Sequence, residues 1–249
     1  MTDRQQFQGQ RVLVMGGSSG IGEATAARFA AGGAHVAITG RRESALKEAA
    51  DRIQAKAGAA VEAVRLDAAD RDALAAFFAP ETGYDHLVLT LGGASGGGPF
   101  ASLDLDDLAA GFDGKFWPHL RALQAALPRL REGGSITVIS AVSARAAMPG
   151  TAGLAAINGA LEAMIGPLAA ELAPLRVNAV SPGAVDTPWW AGVPDEQRLA
   201  LFDQYAAVLP VGRIGRPEDV ADAVAFLAGN GNTTGTVLEC AGGAQLAKG

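Results

Sequence analysis

The chain has 249 residues, of which 49% are hydrophobic and 18% are charged, with a single cysteine, Cys240. This composition excludes an intrinsically disordered chain and a disulfide-stapled scaffold. The net charge of −6 argues against non-specific nucleic-acid binding, which needs a basic surface. Residues 1–11 are polar and no run of about 18 apolar residues occurs, so we expect a cytoplasmic protein without a signal peptide or a membrane span.

Short apolar runs alternate with stretches of helical periodicity along the chain. The runs rich in Val, Ile and Leu predict strands at Arg11–Met15, His35–Thr39, Ala60–Leu66, His86–Leu91, Ser135–Ser140, Arg176–Val180 and Thr236–Leu238. Helical spacing predicts helices at Gly22–Ala31, Glu43–Ala57, Leu105–Leu130, Ala152–Leu172 and Glu218–Ala228. The alternation predicts an α/β fold with a parallel sheet covered on both faces. Since no linker interrupts the pattern, we expect one domain over residues 1–249.

A glycine-rich turn follows the first predicted strand and leads directly into a helix. It reads Gly16-Gly17-Ser18-Ser19-Gly20-Ile21-Gly22. Glycines allow a tight turn and let backbone N–H groups approach a pyrophosphate at the N-terminus of the helix. The turn predicts dinucleotide binding through Gly16, Ser18, Ser19, Gly20, Ile21 and Gly22. The alternative is a purely structural turn.

Three motifs resemble the short-chain dehydrogenase/reductase family over essentially the whole chain. Gly16, Gly20 and Gly22 match the glycines of its T-G-x-x-x-G-x-G motif, with Met15 in place of the Thr. Residues 176–183 with Asp186-Thr187-Pro188, and residues 212–220, resemble two later family segments. The resemblance implies a seven-stranded Rossmann-type doubly wound sheet, a nicotinamide dinucleotide near Gly92, Pro182, Gly183 and Thr187, a lid at about residues 186–209, and commonly a homotetramer.

The end of the second strand bears on which dinucleotide would bind. An acidic residue there would hold the ribose hydroxyls of NAD, but Gly40 occupies the position, followed by Arg41 and Arg42. A guanidinium can pair with a 2′-phosphate, so we expect NADP(H) in preference to NAD(H). The alternative is that both arginines form a solvated helix entry. Asp67 matches a family residue that contacts the adenine, and it could equally cap the next helix.

The family's catalytic residues are replaced, which makes the chain an atypical member. Ungapped alignment puts Lys115, Ala141, Leu154 and Asn158 at the positions of the family's asparagine, serine, tyrosine and lysine. No alternative alignment restores a Tyr-x-x-x-Lys pair, because the tyrosines are Tyr84 and Tyr205 and the lysines are Lys47, Lys56, Lys115 and Lys248. General acid–base catalysis typically contributes about 10²–10⁴-fold. We therefore expect no ordinary carbonyl reductase or alcohol dehydrogenase turnover.

Other side chains could take over part of this chemistry. The stem of Lys115 could carry its ammonium into the volume left by the tyrosine and lysine, or it could extend to solvent. Tyr205 could offer a hydroxyl from the lid, or could pack a lid helix. Ser140 and Ser143 flank the lost serine, and we expect loop hydrogen bonds from them. Trp189 and Trp190 indicate an apolar or aromatic ligand or a subunit contact. His35, His86 and His119 are scattered, so we expect no metal.

These observations leave three functions open. The first is a dinucleotide-binding homologue with impaired catalysis that acts in binding, sensing or assembly. The second is an active NADP(H)-dependent oxidoreductase whose proton donor has been rebuilt, with Lys115 or Tyr205 as candidates. The third is a lyase or isomerase that uses the same pocket without redox chemistry.

Overall fold

The computed structural model describes residues 5–93 and 95–246. Its seven strands are parallel and form one sheet in the order β3-β2-β1-β4-β5-β6-β7. The strands are β1 Arg11–Met15, β2 His35–Gly40, β3 Glu62–Arg65, β4 Tyr84–Leu89, β5 Leu130–Ile139, β6 Arg176–Pro182 and β7 Val237–Cys240. The Rossmann-type doubly wound sheet expected from the sequence is confirmed. The strand order reverses between β1 and β4, which opens a crevice at their carboxyl ends.

Both faces of the sheet are covered, which explains why its central strands are continuously apolar. On one face Val12, Val14 and Ile38 pack into a core that includes Phe29 and Val224. On the other face lies a second core that is built from the alternate strand residues Leu13, Leu87 and Ile136, together with Leu123 and Leu161. Alternation of side chains along each strand places neighbouring residues in different cores.

Nine α-helices lie in the described part of the chain. They are α1 Gly20–Ala31, α2 Glu43–Ala57, α3 Arg71–Phe77, α4 Leu105–Gly111, α5 Trp117–Ala126, α6 Ala152–Ala163, α7 Ile165–Glu171, α8 Asp195–Val208 and α9 Pro217–Gly229. Helix α2 has the predicted bounds and ends at Gly58, whose φ of 71° is left-handed. Helices α3 and α8 were not expected from the apolar pattern, and α8 turns most of the expected lid segment into regular structure.

The single long helix predicted over Leu105–Leu130 is wrong. The chain forms α4, then a π-helical turn at Phe112–Phe116, then α5, and it already enters β5 at Leu130. Pro118 supplies the physical reason, because it lacks an N–H and its ring clashes with the carbonyl four residues earlier in an α-helix. Pro167 interrupts the helix between α6 and α7 in the same way, because its ring would clash with the carbonyl of Ala163 at the end of α6.

The helical stretch Ala152–Glu171 is the one segment of residues 5–93 and 95–246 that is long and apolar enough to cross a membrane, by length and composition alone. In the fold one side of it packs against the second core. Ile157, Leu161 and Ile165 are buried on its inner side, and it also carries Asn158 and Glu162.

Candidate functional site

The glycine-rich turn fits closely between the ends of β1 and β4. Gly16 has a φ of 94°, and a Cβ there would lie 2.6 Å from Thr90 Oγ1. A Cβ on Gly22 would collide with the carbonyl oxygen of Gly16. Thr90 fixes this arrangement, since its backbone N–H and its hydroxyl both donate to the Met15 carbonyl oxygen, at 2.8 and 2.9 Å. Close packing therefore requires glycine at two of the motif positions.

The N-terminus of α1 carries no side-chain cap. Ser19 precedes the helix in an extended conformation, and its hydroxyl makes no capping bond. Helices leave their first backbone N–H groups without internal partners, so this end of α1 suits an anion. Thr187 lies directly beside it, because a Cβ on Gly20 would be 3.2 Å from the Thr187 Cβ. The segment after β6 therefore meets the glycine turn.

Three exposed arginines lie at the ends of β2 and β3. Neither Arg41 nor Arg42 forms an ion pair or a side-chain hydrogen bond within the described residues. Gly40 is adjacent to the glycine turn, since a Cβ there would be 3.3 Å from Ser18 Oγ. Arg65 is paired with Gly40 across the two parallel strands and is also exposed. Sequence reasoning missed Arg65, which only the strand register brings to this corner.

The other expected cofactor residues lie along the same carboxyl edge of the sheet. Gly92 follows β4 and faces open space, and Gly183 follows Pro182 at the end of β6, where its N–H donates to the Cys240 carbonyl oxygen at 3.3 Å. Asp67 is exposed, and its carboxylate accepts from the Ala69 N–H at 3.0 Å. The helix-cap interpretation of Asp67 is wrong, because Asp70 is the residue that caps α3.

Lys115 points inward and contacts Asn158. Its Nζ donates to Asn158 Oδ1 at 2.7 Å and to the Ser140 carbonyl oxygen at 3.2 Å. The alternative in which this ammonium extends to solvent is therefore wrong. The two residues that the resemblance aligns with the family's asparagine and lysine are therefore in direct contact. Burial lowers the pKa of Lys115 to about 8, while the nearby Glu162 carboxylate raises it.

The two serines that flank Ala141 have distinct partners. Ser143 Oγ accepts from Asn158 Nδ2 at 3.1 Å, and the same amide group donates to the Leu154 carbonyl oxygen at 2.9 Å. Ser140 Oγ donates to Glu162 Oε1 at 2.7 Å. The amide of Asn158 is thus fixed with its oxygen toward Lys115, since its nitrogen already has two acceptors.

The residues at the other two aligned positions, Ala141 and Leu154, bring no proton donor to this place. Ala141 lies beyond the end of β5 in an extended conformation, and the Leu154 side chain approaches Gly97. Tyr205 is half-buried on α8, and its hydroxyl forms no hydrogen bond with any of residues 5–93 or 95–246. Of the two donors considered from the sequence, the structure brings Lys115 and not Tyr205 into contact with Asn158.

Aromatic side chains connect the segment after β6 to the loop after β4. Trp189 is 51% exposed, and its Nε1 donates to the Gly93 carbonyl oxygen at 3.4 Å. Trp190 packs edge-on against Trp189 and against Phe202 of α8, with ring centroids 4.7 and 5.5 Å apart. The aromatic surface therefore lies at the carboxyl edge of the sheet.

The histidines lie apart, and among the residues that the structure covers no three His, Cys, Asp or Glu side chains are grouped to hold a metal ion. His86 Nδ1 is 2.8 Å from Ser135 Oγ, and its Nε2 is 3.0 Å from Gln10 Oε1. His119 Nδ1 is 2.8 Å from the Lys115 carbonyl oxygen. Burial lowers the pKa of both His86 and His119 to about 4.

Comparison with known proteins agrees with this architecture. Residues 16–245 match the family described as enoyl-(acyl carrier protein) reductase. The chain is also 34% identical, over 96% of its own length and 98% of the other chain, to the short-chain dehydrogenase/reductase ATR9 of Stachybotrys chlorohalonatus. It therefore belongs to the short-chain dehydrogenase/reductase family of oxidoreductases.

Individual relatives differ in what their names say they do. The cyclic-di-GMP-binding biofilm dispersal mediator protein of Escherichia coli is 34% identical over 90% of this chain and 91% of its own. A small-chain dehydrogenase solved in complex with NADPH has a TM-score of 0.82 at 31% identity, covering 96% of this chain and all of that one. The reductase/Diels-Alderase MalC of Malbranchea aurantiaca has a TM-score of 0.88 at 30% identity, over 98% and 99% of the two chains.

Proposed function

We propose that the protein binds NADP(H) in preference to NAD(H), with the pyrophosphate at the N-terminus of α1 and the 2′-phosphate at Arg41 and Arg42. The observation that carries this proposal is the pair of exposed arginines without carboxylate partners beside Gly40 and Ser18. A free guanidinium can form charge-assisted, bidentate bonds to a phosphate. The NADPH complex of a relative with the same fold supports the choice.

The proposal is tested by calorimetry with NADPH and NADH. Arg41→Gln should weaken NADPH binding about tenfold and leave NADH binding unchanged, because a hydrogen bond to a charged group contributes roughly 1.5–3 kcal/mol. Lys47→Gln, which removes an exposed cation from α2, is the control for net charge and should change neither affinity. Tighter binding of NADH than NADPH by the unmodified protein would refute the preference.

With its tyrosine replaced by Leu154, the protein would act in binding, sensing or assembly rather than as an ordinary carbonyl reductase. The relative named for cyclic-di-GMP binding supports a binding role for a chain of this kind. An apolar or aromatic ligand would lie against Trp189, which leaves half of its surface open. Turnover of simple ketones with NADPH at rates ordinary for such reductases would contradict this proposal.

A second candidate function is supported by the inward position of Lys115. Here the protein is an NADP(H)-dependent oxidoreductase in which the Lys115 ammonium supplies the proton to a reduced carbonyl. An amine whose pKa is lowered toward neutral pH is a competent general acid. Consumption of NADPH on some member of a broad carbonyl panel, lost in Lys115→Met and kept in Tyr205→Phe, is the expected result. Equal loss in both variants would exclude Lys115 as the specific donor.

A further inference from the structure

A chain of hydrogen bonds connects Lys115 to a buried carboxylate. Ser140 uses its carbonyl oxygen to accept from Lys115 Nζ and its hydroxyl to donate to Glu162 Oε1. The Glu162 side chain is only 7% exposed. Its second oxygen accepts from Arg145 Nε at 2.8 Å, and Arg145 also pairs with Glu239 at 3.1 Å. The carboxylate is therefore held on both oxygens, and one of its partners is Ser140, which accepts from the Lys115 ammonium.

The spacing on α6 explains why Glu162 and Asn158 act on the same group. Residues four apart share one face of a helix. Asn158 meets the Lys115 ammonium directly, and Glu162 meets it through Ser140. A buried carboxylate costs free energy unless it is paired and hydrogen-bonded. Arg145 and Ser140 meet that requirement, and the charge of Glu162 still raises the pKa of the Lys115 amine.

We propose that Glu162 is a positioning residue for Lys115: it fixes Ser140, whose carbonyl accepts from the ammonium, and its charge favours the protonated amine. The titratable and charged groups around Lys115 are Glu162 on α6, His119 on α5 just after the π-helical turn, and Arg145 and Glu239 behind Glu162. His119 is neutral at pH 7 because burial and the Lys115 charge keep its pKa at about 4. Glu162 is therefore the opposite charge that acts on the amine. The positioning of the Lys115 amine by Glu162 does not depend on the proposed function. Only its role in proton donation rests on the second candidate function.

The test is a pH profile of amine labelling on the ligand-free protein, resolved by mass spectrometry. The chain has four lysines, so each labelled peptide reports one amine, and the exposed Lys47 and Lys56 serve as internal references. In the unmodified protein the midpoint for Lys115 is expected near its pKa of about 8. Glu162→Gln should lower that midpoint by about one pH unit, the effect of removing a nearby opposite charge.

Two variants control the interpretation. Glu239→Gln removes the other carboxylate of Arg145 without touching Ser140 and should leave the midpoint of Lys115 unchanged. Glu162→Asp keeps the charge and should keep the midpoint close to that of the unmodified protein. An unshifted midpoint in Glu162→Gln, or an equal shift in Glu239→Gln, would overturn the proposal.

Circular dichroism first tests whether Glu162→Gln is folded. If the variant is unfolded, Ser140→Ala takes its place in the test, because it removes the hydroxyl that links Glu162 to the Ser140 carbonyl. That variant should label faster at Lys115 and unchanged at Lys47, and an unchanged Lys115 profile would refute the positioning role. The labelling uses no dinucleotide, so its result does not depend on the proposed function. If the unmodified protein binds no NADPH but Glu162→Gln shifts the midpoint, the proposed function is refuted and this inference stands.

Discussion

The contact between Lys115 and Asn158 depends on the length of each side chain. Asparagine is short, so on α6 its amide stays close to the helix, where Ser143 and the Leu154 carbonyl fix its nitrogen. Lysine is long, so from the neighbouring π-helical turn it can reach the same place. Sequence comparison identified both positions. It could not decide the direction of the Lys115 stem, because four rotatable bonds leave inward and outward rotamers open until the neighbouring acceptors are known.

The Lys115 amine predicts a pH dependence of stability. Its pKa is about 8 in the folded chain and 10.5 as a free side chain. Between these values the unfolded chain holds a proton that the folded chain has lost, so the free energy of unfolding should rise as pH increases from 8 to 10.5. We expect a rise of about 2 kcal/mol, below the roughly 3 kcal/mol of a full shift because the side chain is partly exposed.

Urea unfolding of the unmodified protein and of Lys115→Met across that pH range measures this contribution. The difference between the two should grow with pH in favour of the unmodified protein. A difference that stays constant from pH 8 to 10.5 would contradict the depressed pKa.

Helix α6 approaches the loop after β4 so closely that one position requires glycine. A Cβ on Gly153 would collide with the Gly96 carbonyl oxygen and lie 3.0 Å from Leu108 Cδ1. Gly159 on the same helix has nothing within 4 Å of its Cβ position. Gly153→Ala should lower the free energy of unfolding by about 1–3 kcal/mol, as overpacking does. Gly159→Ala should raise it by roughly 0.5–1 kcal/mol through helix propensity.

Thermal or urea unfolding compares the two alanine variants directly. Equal effects at positions 153 and 159 would mean that the contact with Gly96 relaxes without cost. A destabilised Gly153→Ala should also disturb the site, because Asn158 lies on the same helix.

Elements with strong periodicity were predictable, and others were not. Helix α2 has buried Leu46, Ala49 and Ile53 at spacings of three and four, and its bounds followed from the sequence. Helix α8 buries only Phe202, so its polar surface gave no comparable pattern. The glycine turn was predictable because backbone chemistry dictates it. The Arg65 position was not, because it depends on the register between β2 and β3.

Two buried histidines predict that the whole molecule is sensitive to acid. His86 lies near the rings of Phe7 and Phe29, and His119 lies beneath Lys115. Their folded pKa values of about 4 are below the usual 6.5, so the unfolded chain takes up protons first as pH falls. The free energy of unfolding should therefore drop between pH 6.5 and 4, by up to roughly 3 kcal/mol per histidine.

Urea titrations of the unmodified protein and of His86→Gln over this range test the acid effect. The variant should lose stability less steeply with falling pH, since one of the two linked protons is gone. Parallel curves for both proteins would show that His86 already titrates near its usual pKa when folded.

The protein is predicted to assemble into a homo-oligomer. Trp117 and Leu105 expose large apolar surfaces on the helices around the π-helical turn. Such surfaces favour association when they are contiguous. Sedimentation at micromolar concentration should give a mass several times that of the 25.2 kDa chain, with a tetramer expected. A monomeric mass would count against it.

The π-helical turn makes this region more sensitive to chain length than to composition. A π-turn holds one residue more than the α-helical turn it replaces. Deleting Phe116 would remove that extra residue and rotate Lys115 by about 100° relative to the packed helix α5. Lys115 would then lose its hydrogen bond to Asn158, although both residues would still be present in the chain. A three-nucleotide deletion could therefore disconnect the pair without substituting either of its members.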